Sequence, residues 1–300
     1  MALVPFDDRD GHIWFDGALV PWREAKLHVL SHGLHYASAV FEGERAYGGH
    51  VFKLHAHTER LLASARILGF EIPYSADQID AACKQVLAAN GQTDAYVRPI
   101  AWRGTEQLSV SAQATRIHVA IATWPWPNLF GADRMKGVRL DLATWKRPSP
   151  ETAPTAAKAA GLYMIGTLAK HAAEAKGFED ALMLDWRGQV SEATGANVFF
   201  VIDGTLHTPT PDCFLDGITR RTVKSLALRR QMQVVERAIM PEEMPRASEV
   251  FLAGTAAEVT PVRQIGTLAF TPGQVTETLL RDYEQTVRLA PEEVERRAPI

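Results

Sequence analysis

Apolar residues recur along this chain with two periods, every second position in short runs and every third or fourth in longer ones. In IWFDGALVP, apolar-rich flanks meet across Asp16-Gly17, a pair that accepts the positive φ values of a tight turn, and this predicts a β-hairpin. Short strands are expected within AVFEGERAYGGHVF. Leu61, Leu62, Ala65 and Leu68 share one helical face, which predicts a helix from Thr58 to Gly69. A second helix is expected from Ala76 to Ala89, stopping before Asn90-Gly91, and two strands, AYVRPIAW and RIHVAIATW, complete this half.

WPWPNLFGAD, with two prolines, an Asn and a Gly, interrupts both periods and reads as a connection between domains. It divides the chain into a smaller N-terminal domain, 1–125, a linker, 126–135, and a larger C-terminal domain, 136–300. Beyond the linker, VRLDLATW reads as a strand and AGLYMIGTLAKHAAEAKGF as a helix ending at Gly177. DALMLDWRGQVSEATGANVFFVIDGTLHTP reads as a meander with turns at Arg187-Gly188 and Asp203-Gly204. A helix at Ile218–Gln231, strands at VVE and SEVFLAG and a helix at Pro272–Leu289 follow, with PEEVERRAP as a solvated helix end. Hairpin-joined strands with intervening helices predict an α+β fold rather than a regular parallel array.

With 46% hydrophobic and 22% charged residues in 300, the chain has the make-up of a folded protein with a sizeable core. A net charge of −3 supplies no broad field for nucleic acid or anionic lipid, so the expected partner is a small molecule. No apolar run reaches the roughly 20 residues that span a bilayer. The N-terminus lacks the basic-then-apolar order of a secretory signal, so a cytoplasmic location is expected. Cys83 and Cys213 fit no metal-ligand spacing and read as free thiols.

His28, His32 and His35 fall at i, i+4 and i+7, but no carboxylate or cysteine completes a metal set, and a structural role is expected. His55 and His57 would share one face of a strand, which is weak support for a metal. The Walker pattern and GxGxxG are missing, so no nucleotide fingerprint is present. TAAKAAGLY sets Lys158 among small and apolar residues before a helix. Desolvation prepares such an amine for Schiff-base chemistry, although the same composition also describes a snorkelling surface lysine.

Seven segments in order decide between these: SHGLHYASAVFEGERAY, HTERLLASA, AYVRP, PTAAKAAGLY, QVSEATGANVFF, FLDGITRRT and VFLAGTAAEVTPV. Together they resemble the branched-chain amino acid aminotransferases, of the fold-type IV pyridoxal-phosphate enzymes. The resemblance implies a two-domain α+β subunit with its active site in the interdomain cleft. It implies that Lys158 holds pyridoxal 5'-phosphate as an internal aldimine and later moves the proton between substrate and cofactor. Glu192 matches the glutamate that keeps the ring nitrogen protonated. Arg60, Ile218, Thr219 and Thr255 match the phosphate-binding set, with GITRRT supplying free N–H groups at a helix start. Tyr163 lies beside the cofactor and the substrate.

For the substrate, Thr255, Ala256 and Tyr96 match the groups that meet the α-carboxylate. Phe41, Tyr163 and, from a neighbouring subunit, Tyr36 and Val110 match the apolar walls. Arg98 matches the residue serving a distal carboxylate, and Arg45 joins the substrate set. Tyr96 and Arg98 lie two apart on a strand and so face the same side. The implied reaction is ping-pong transfer between Leu, Ile or Val and 2-oxoglutarate, through L-amino acids and 2-oxo acids, by a homodimer or a higher assembly of dimers.

Ser109 stands where the family often has a glycine before the Val110 position, Leu129 where some members carry a tyrosine, and Arg103 and Glu44 where some are apolar. These departures bear on side-chain preference and acceptor. D-amino acid or (R)-amine transamination and an aminodeoxychorismate-lyase-like activity are the alternatives within the fold type. A non-catalytic cofactor-binding sensor is the alternative outside enzymes.

Overall fold

A computed structural model describes residues 4–126 and 131–300. The contacts divide the chain into two compact units, Met1–Pro127 with Ala157–Gly161, and Asn128–Ala156 with Leu162–Ile300. Residues 127–130 of the expected linker, Leu129 among them, lie outside the described residues.

The first unit opens with β1 (His12–Phe15) and β2 (Ala18–Pro21), joined through Asp16 and Gly17 at φ +48° and +102°, as a tight hairpin turn requires. A five-residue helix, α1 (His32–Tyr36), ends where Ala37 turns left-handed at φ +53°. β3 (Ala39–Phe41), β4 (Glu44–Tyr47) and β5 (His50–Val51) follow. Then come α2 (Leu54–Ile67), α3 (Ala76–Ala89), β6 (Ala95–Arg103) and β7 (Ile117–Pro125). The antiparallel sheet runs β2-β1-β7-β6-β4-β5, with β3 also on β6. Leu61, Ala65, Ile79, Cys83 and Val86 from the helices pack with Val40, Ala46, Val97, Ala101, Val119 and Ile121 from the sheet, all buried. Burying each large aliphatic among them contributes roughly 1.5–3 kcal/mol relative to exposure.

α3 starts where expected because Ser75 and Gln78 close a reciprocal capping box. α2 starts earlier than expected. Lys53 turns the chain at φ +53°, so His55 and His57 lie in a helical turn instead of a strand, with His57 buried and His55 exposed. The other three histidines do not share a helical face either, because α1 begins only at His32. His32 Nε2 bonds the Ser109 carbonyl at 2.8 Å, His35 Nε2 the Val29 carbonyl at 2.9 Å, and His28 Nδ1 accepts from the Leu30 N–H at 3.1 Å.

The second unit contains β8 (Val138–Leu142), α4 (Met164–Ala175), β9 (Asp180–Leu184), β10 (Val190–Ala193), β11 (Asn197–Ile202) and β12 (Thr205–Thr208). After them come α5 (Ile218–Arg229), β13 (Val234–Glu236), β14 (Ala247–Gly254), β15 (Glu258–Ile265), β16 (Leu268–Ala269), α6 (Gln274–Thr286) and α7 (Pro291–Arg297). The sheet runs β10-β9-β8-β15-β14-β11-β12-β13, and β10 also pairs with β11, so six strands close on themselves. Val198, Phe200, Val250, Leu252, Val262 and Leu140 fill the interior. Gly177, at φ +82°, follows α4 as the sequence implies, and PEEVERRAP is not merely a solvated end, since α7 buries Val294 and Ala298 is also buried. Cys83 and Cys213 are free and buried. Among the described residues no helix is long and apolar enough to cross a membrane.

Candidate active site around Lys158

The sequence places Lys158 with residues 136–300, but the contacts group it with the first unit. The reason is long-range strand pairing. Ala159 bridges Val40, the Phe41 N–H donates to the Lys158 carbonyl at 3.2 Å, and the Lys158 N–H donates to Ser64 Oγ of α2 at 2.9 Å. The backbone is thus fixed on both sides, and Nζ lies 5.1 Å from the Phe41 ring centroid. Ala157 and Ala159 are buried while Lys158 is half-buried, so the small neighbours let a long side chain leave a closely packed segment.

Arg60, on the second turn of α2, is held by a carboxylate. Its Nε and one terminal nitrogen donate to the two oxygens of Glu42 at 2.7 and 2.8 Å, and His57 Nδ1 lies 2.7 Å from the same carboxylate. Burial alone would raise the Glu42 pKa, but Arg60 and His57 outweigh it and hold the group well below the usual carboxylate range. Burial pushes His57 down against the pull of Glu42, with Arg60 and Lys158 adding to the lowering. The ring is therefore neutral at pH 7, and because an ionised carboxylate only accepts, Nδ1 carries the donated proton.

Tyr96 and Arg98 face one side of β6, as their spacing implies, and Arg98 donates to Tyr96 Oη at 3.2 Å. The Tyr96 ring stacks on Trp124 at 5.0 Å and meets Trp126 at 4.9 Å between centroids. The Arg98 guanidinium lies 4.9 Å from the Phe41 centroid and 5.2 Å from that of Tyr96. Its Nε is buried with no hydrogen-bond partner, and among the described residues no carboxylate pairs with it. A cation held on aromatic faces and lacking a counter-ion is suited to an anionic oxygen. Gly43 makes room for this arrangement, since a Cβ there would stand 2.1 Å from Tyr96 Oη.

In the second unit, Asn197 organises the other expected residues. Across the sheet it registers with Glu192 on one side and Ala253 on the other. Its Nδ2 donates to Glu192 Oε2 at 3.2 Å and to the Leu215 carbonyl at 3.0 Å, while Arg147 pairs with Glu192 Oε1 at 2.8 Å. Gly217 precedes α5 so close to Asn197 that a Cβ would lie 2.3 Å from Oδ1. Ile218 and Thr219 begin that helix, buried, with no side chain capping its N-terminus, which leaves backbone N–H groups for an anion. Thr255 and Ala256 form the turn between β14 and β15, shortly beyond Ala253. Tyr163, half-buried, stands at the entry of α4.

Arg45 is buried in β4, with its guanidinium 4.7 Å from the Tyr47 centroid, so it is not a surface charge. Tyr36 and Val110 are 46% and 87% exposed. Glu42, His57 and Ser64 in the first unit and Arg147 and Asn197 in the second hold expected site residues in place; of these the sequence named only His57, as half of a weak metal pair. Glu42 and Asn197 lie inside FEG and GAN of the matched segments, whereas Arg147, in WKRPSP, has no periodic signal. Asp185, Asp212 and Cys213 bring possible metal-ligand atoms within 4.8 Å of one another, but Arg187 already bridges the two carboxylates.

Residues 39–265 match the family model described as Amino-transferase class IV, and the chain belongs to that family, with the α+β fold of the fold-type IV enzymes. It is 40% identical over 284 residues to a branched-chain-amino-acid aminotransferase of Pseudomonas aeruginosa, covering 92% of each chain. It is 39% identical over 293 residues to a probable branched-chain-amino-acid aminotransferase of Rickettsia felis, covering 96% of this chain and all (100%) of that one. Among solved structures, the branched-chain aminotransferase of Thermoproteus uzoniensis with norvaline matches at a TM-score of 0.91 and 37% identity, over 96% of this chain and 98% of that one. A second branched-chain amino acid aminotransferase, complexed with N-(5'-phosphopyridoxyl)-L-glutamate, gives the same values, 0.91, 37%, 96% and 98%.

Proposed function

We propose that this protein is a pyridoxal-phosphate aminotransferase that exchanges the amino group between L-leucine, L-isoleucine or L-valine and 2-oxoglutarate in two alternating half-reactions. The observation that carries the reading is Lys158, a half-buried amine beside Phe41 whose backbone is fixed by β3 and Ser64.

The residues fit the cofactor by the chemistry of their donors. Lys158 offers an amine, Glu192 a carboxylate for the ring nitrogen, and the uncapped start of α5 a set of N–H groups for the phosphate, with Arg60 and Thr255 completing that cup. When bound, pyridoxal phosphate supplies an electron sink for the carbon that loses its proton. Lys158 Nζ takes that proton and returns it, which requires an uncharged amine at that moment. Glu192 holds the proton of the ring nitrogen, and Arg147 and Asn197 fix its two oxygens. Phe41 and Tyr163 exclude water beside the substrate. Tyr96, Thr255 and Ala256 meet the α-carboxylate, Arg98 the distal carboxylate of the acceptor, and Arg45 lines the same region. The exposed Tyr36 and Val110 reach the site of a second copy, making a homodimer the working unit.

The purified protein with added cofactor should absorb in the visible, be bleached by leucine or isoleucine, and recover on 2-oxoglutarate. Lys158→Ala should lower turnover by about 10²–10⁴-fold or more. No absorbance change with any L-amino donor, or bleaching by D-amino acids or (R)-1-phenylethylamine alone, would overturn the reading.

A further inference from the structure

A cavity of about 290 Å³ in the first unit is lined by Arg66, Phe70, Arg103, Gln113, Thr115 and Ile117, and Lys158 is not among its lining residues. Arg103 closes β6 and is only 9% exposed. Its terminal nitrogens donate to the Ala112 carbonyl at 2.9 Å, Thr115 Oγ1 at 3.4 Å and the Gly69 carbonyl at 2.7 Å, and its guanidinium lies 5.3 Å from the Phe70 centroid.

Every one of those partners is neutral. The C-terminal end of α2, near Gly69, carries roughly half a negative charge, and that partial charge is shared with Arg66 in the last turn of the same helix. Two full positive charges, Arg66 and Arg103, therefore border one cavity, with the partial charge of the helix end and the exposed Glu71 carboxylate to oppose them. Glu71 also lines the cavity, yet among the described residues no carboxylate, Glu71 included, forms an ion pair with Arg66 or Arg103. Arg103 is a buried charge whose partners are all neutral, which is costly, and an anion entering here would meet its guanidinium together with that of Arg66 and the Gln113 amide. Phe70 and Ile117 add an apolar wall suited to a short hydrocarbon substituent.

We propose that this cavity binds a compact oxyanion, a small carboxylate or inorganic phosphate, at a site separate from that of Lys158. The assignment does not depend on the reaction proposed above, and a site-resolved measurement tests it independently. The cofactor-loaded protein is labelled with phenylglyoxal, and the rate at Arg66 is followed by peptide mass spectrometry against exposed Arg296 of α7. Acetate, succinate and phosphate are added in turn at matched ionic strength.

Labelling of Arg66 should slow several-fold while that of Arg296 does not change. Protection by carboxylates or by phosphate identifies which oxyanion the site takes. Arg103→Gln should abolish the protection, while Arg66 remains reactive. Equal labelling with and without all three anions, or protection that persists in Arg103→Gln, overturns the proposal. Should Arg103→Gln fail to fold, Arg66→Gln carries the test by equilibrium dialysis with labelled acetate and phosphate. Loss of one bound anion per chain supports the site, and unchanged binding overturns it.

Discussion

Glu42 and Glu44 stand on either side of Gly43, both fully buried, and their surroundings are opposite. Glu42 faces α2 and receives two hydrogen bonds from Arg60 and one from His57. Glu44, the first residue of β4, registers with Val97, whose side of β6 lies in the apolar core with Ile79 and Cys83. Neither Glu44 oxygen has a hydrogen-bond partner. Burial, then the charges of Glu42 and Asp80, push its pKa well above the ordinary value, while Arg60 opposes them too weakly. Glu42 is held in its ionised form by its partners, and Glu44 is pushed toward its protonated form by burial. Partner supply, not burial, decides the state of a buried carboxyl.

Removing the anchor should have the largest effect. Glu42→Ala strips Arg60 of both its carboxylate bonds and leaves buried His57 without its acceptor. Breaking a buried ion pair from one side costs about 3–5 kcal/mol, so urea or thermal unfolding should show a loss of that order, together with weaker cofactor retention through Arg60. A loss below about 1 kcal/mol, the range of an exposed pair, would mean that Glu42 is no more an anchor than Glu44.

The residue between them offers the next test. A methyl group at Gly43 would stand 2.1 Å from Tyr96 Oη and 3.0 Å from Cζ. Tyr96 is backed by Trp124 and Trp126 and has little room to retreat. Overpacking of this kind costs about 1–3 kcal/mol, and displacing the hydroxyl breaks its bond with Arg98. Gly43→Ala should therefore raise KM for the amino and oxo acids more than Glu44 substitutions do. An unchanged KM would show that the Gly43 corner and the Tyr96–Arg98 pair are independent.

The local features are the readable ones. Asp16-Gly17, the helix from Ala76 to Ala89 and the spacing of Tyr96 and Arg98 depend on a few residues each, and each has the predicted conformation. Lys158 is singled out by the seven matching segments rather than by its own, and its place beside Val40 and Ser64 depends on pairing between distant parts of the chain, which periodicity cannot report. His57 lies on a helix rather than a strand because the left-handed turn at Lys53, which starts α2 early, has no glycine to announce it. Short strands are expected around EGER, but nothing in the segment distinguishes a paired glutamate from an unpaired one. Arg147 contacts Glu192 from an irregular segment without apolar period, so only the folded chain identifies it.

The smallest expected change separates the two glutamates most cleanly. Glutamine is a near-isosteric, permanently neutral replacement for a protonated carboxyl, so Glu44→Gln should alter stability near pH 5 by no more than about 1 kcal/mol, the scale of one hydrogen bond. As pH rises above the ordinary value of 4.5, the unfolded chain releases the Glu44 proton while the native state keeps it. Stability then falls by about 1.4 kcal/mol per pH unit from this group, until the folded pKa is reached. Glu44→Gln removes that decline, so its advantage over the parent should grow with pH. Glu42 has the opposite sign. Its folded pKa is depressed, so its contribution is present above 4.5 and is lost as pH falls through the folded value. Glu42→Gln should accordingly be worst at neutral pH and approach the parent in acid. In unfolding free energies measured between about pH 5 and pH 8, the gap between Glu44→Gln and the parent should widen with pH, whereas the deficit of Glu42→Gln should stay nearly constant and shrink only below the ordinary value of 4.5. Parallel profiles for Glu44→Gln and the parent would mean that Glu44 is ionised in the folded protein and that the contrast with Glu42 is not one of charge.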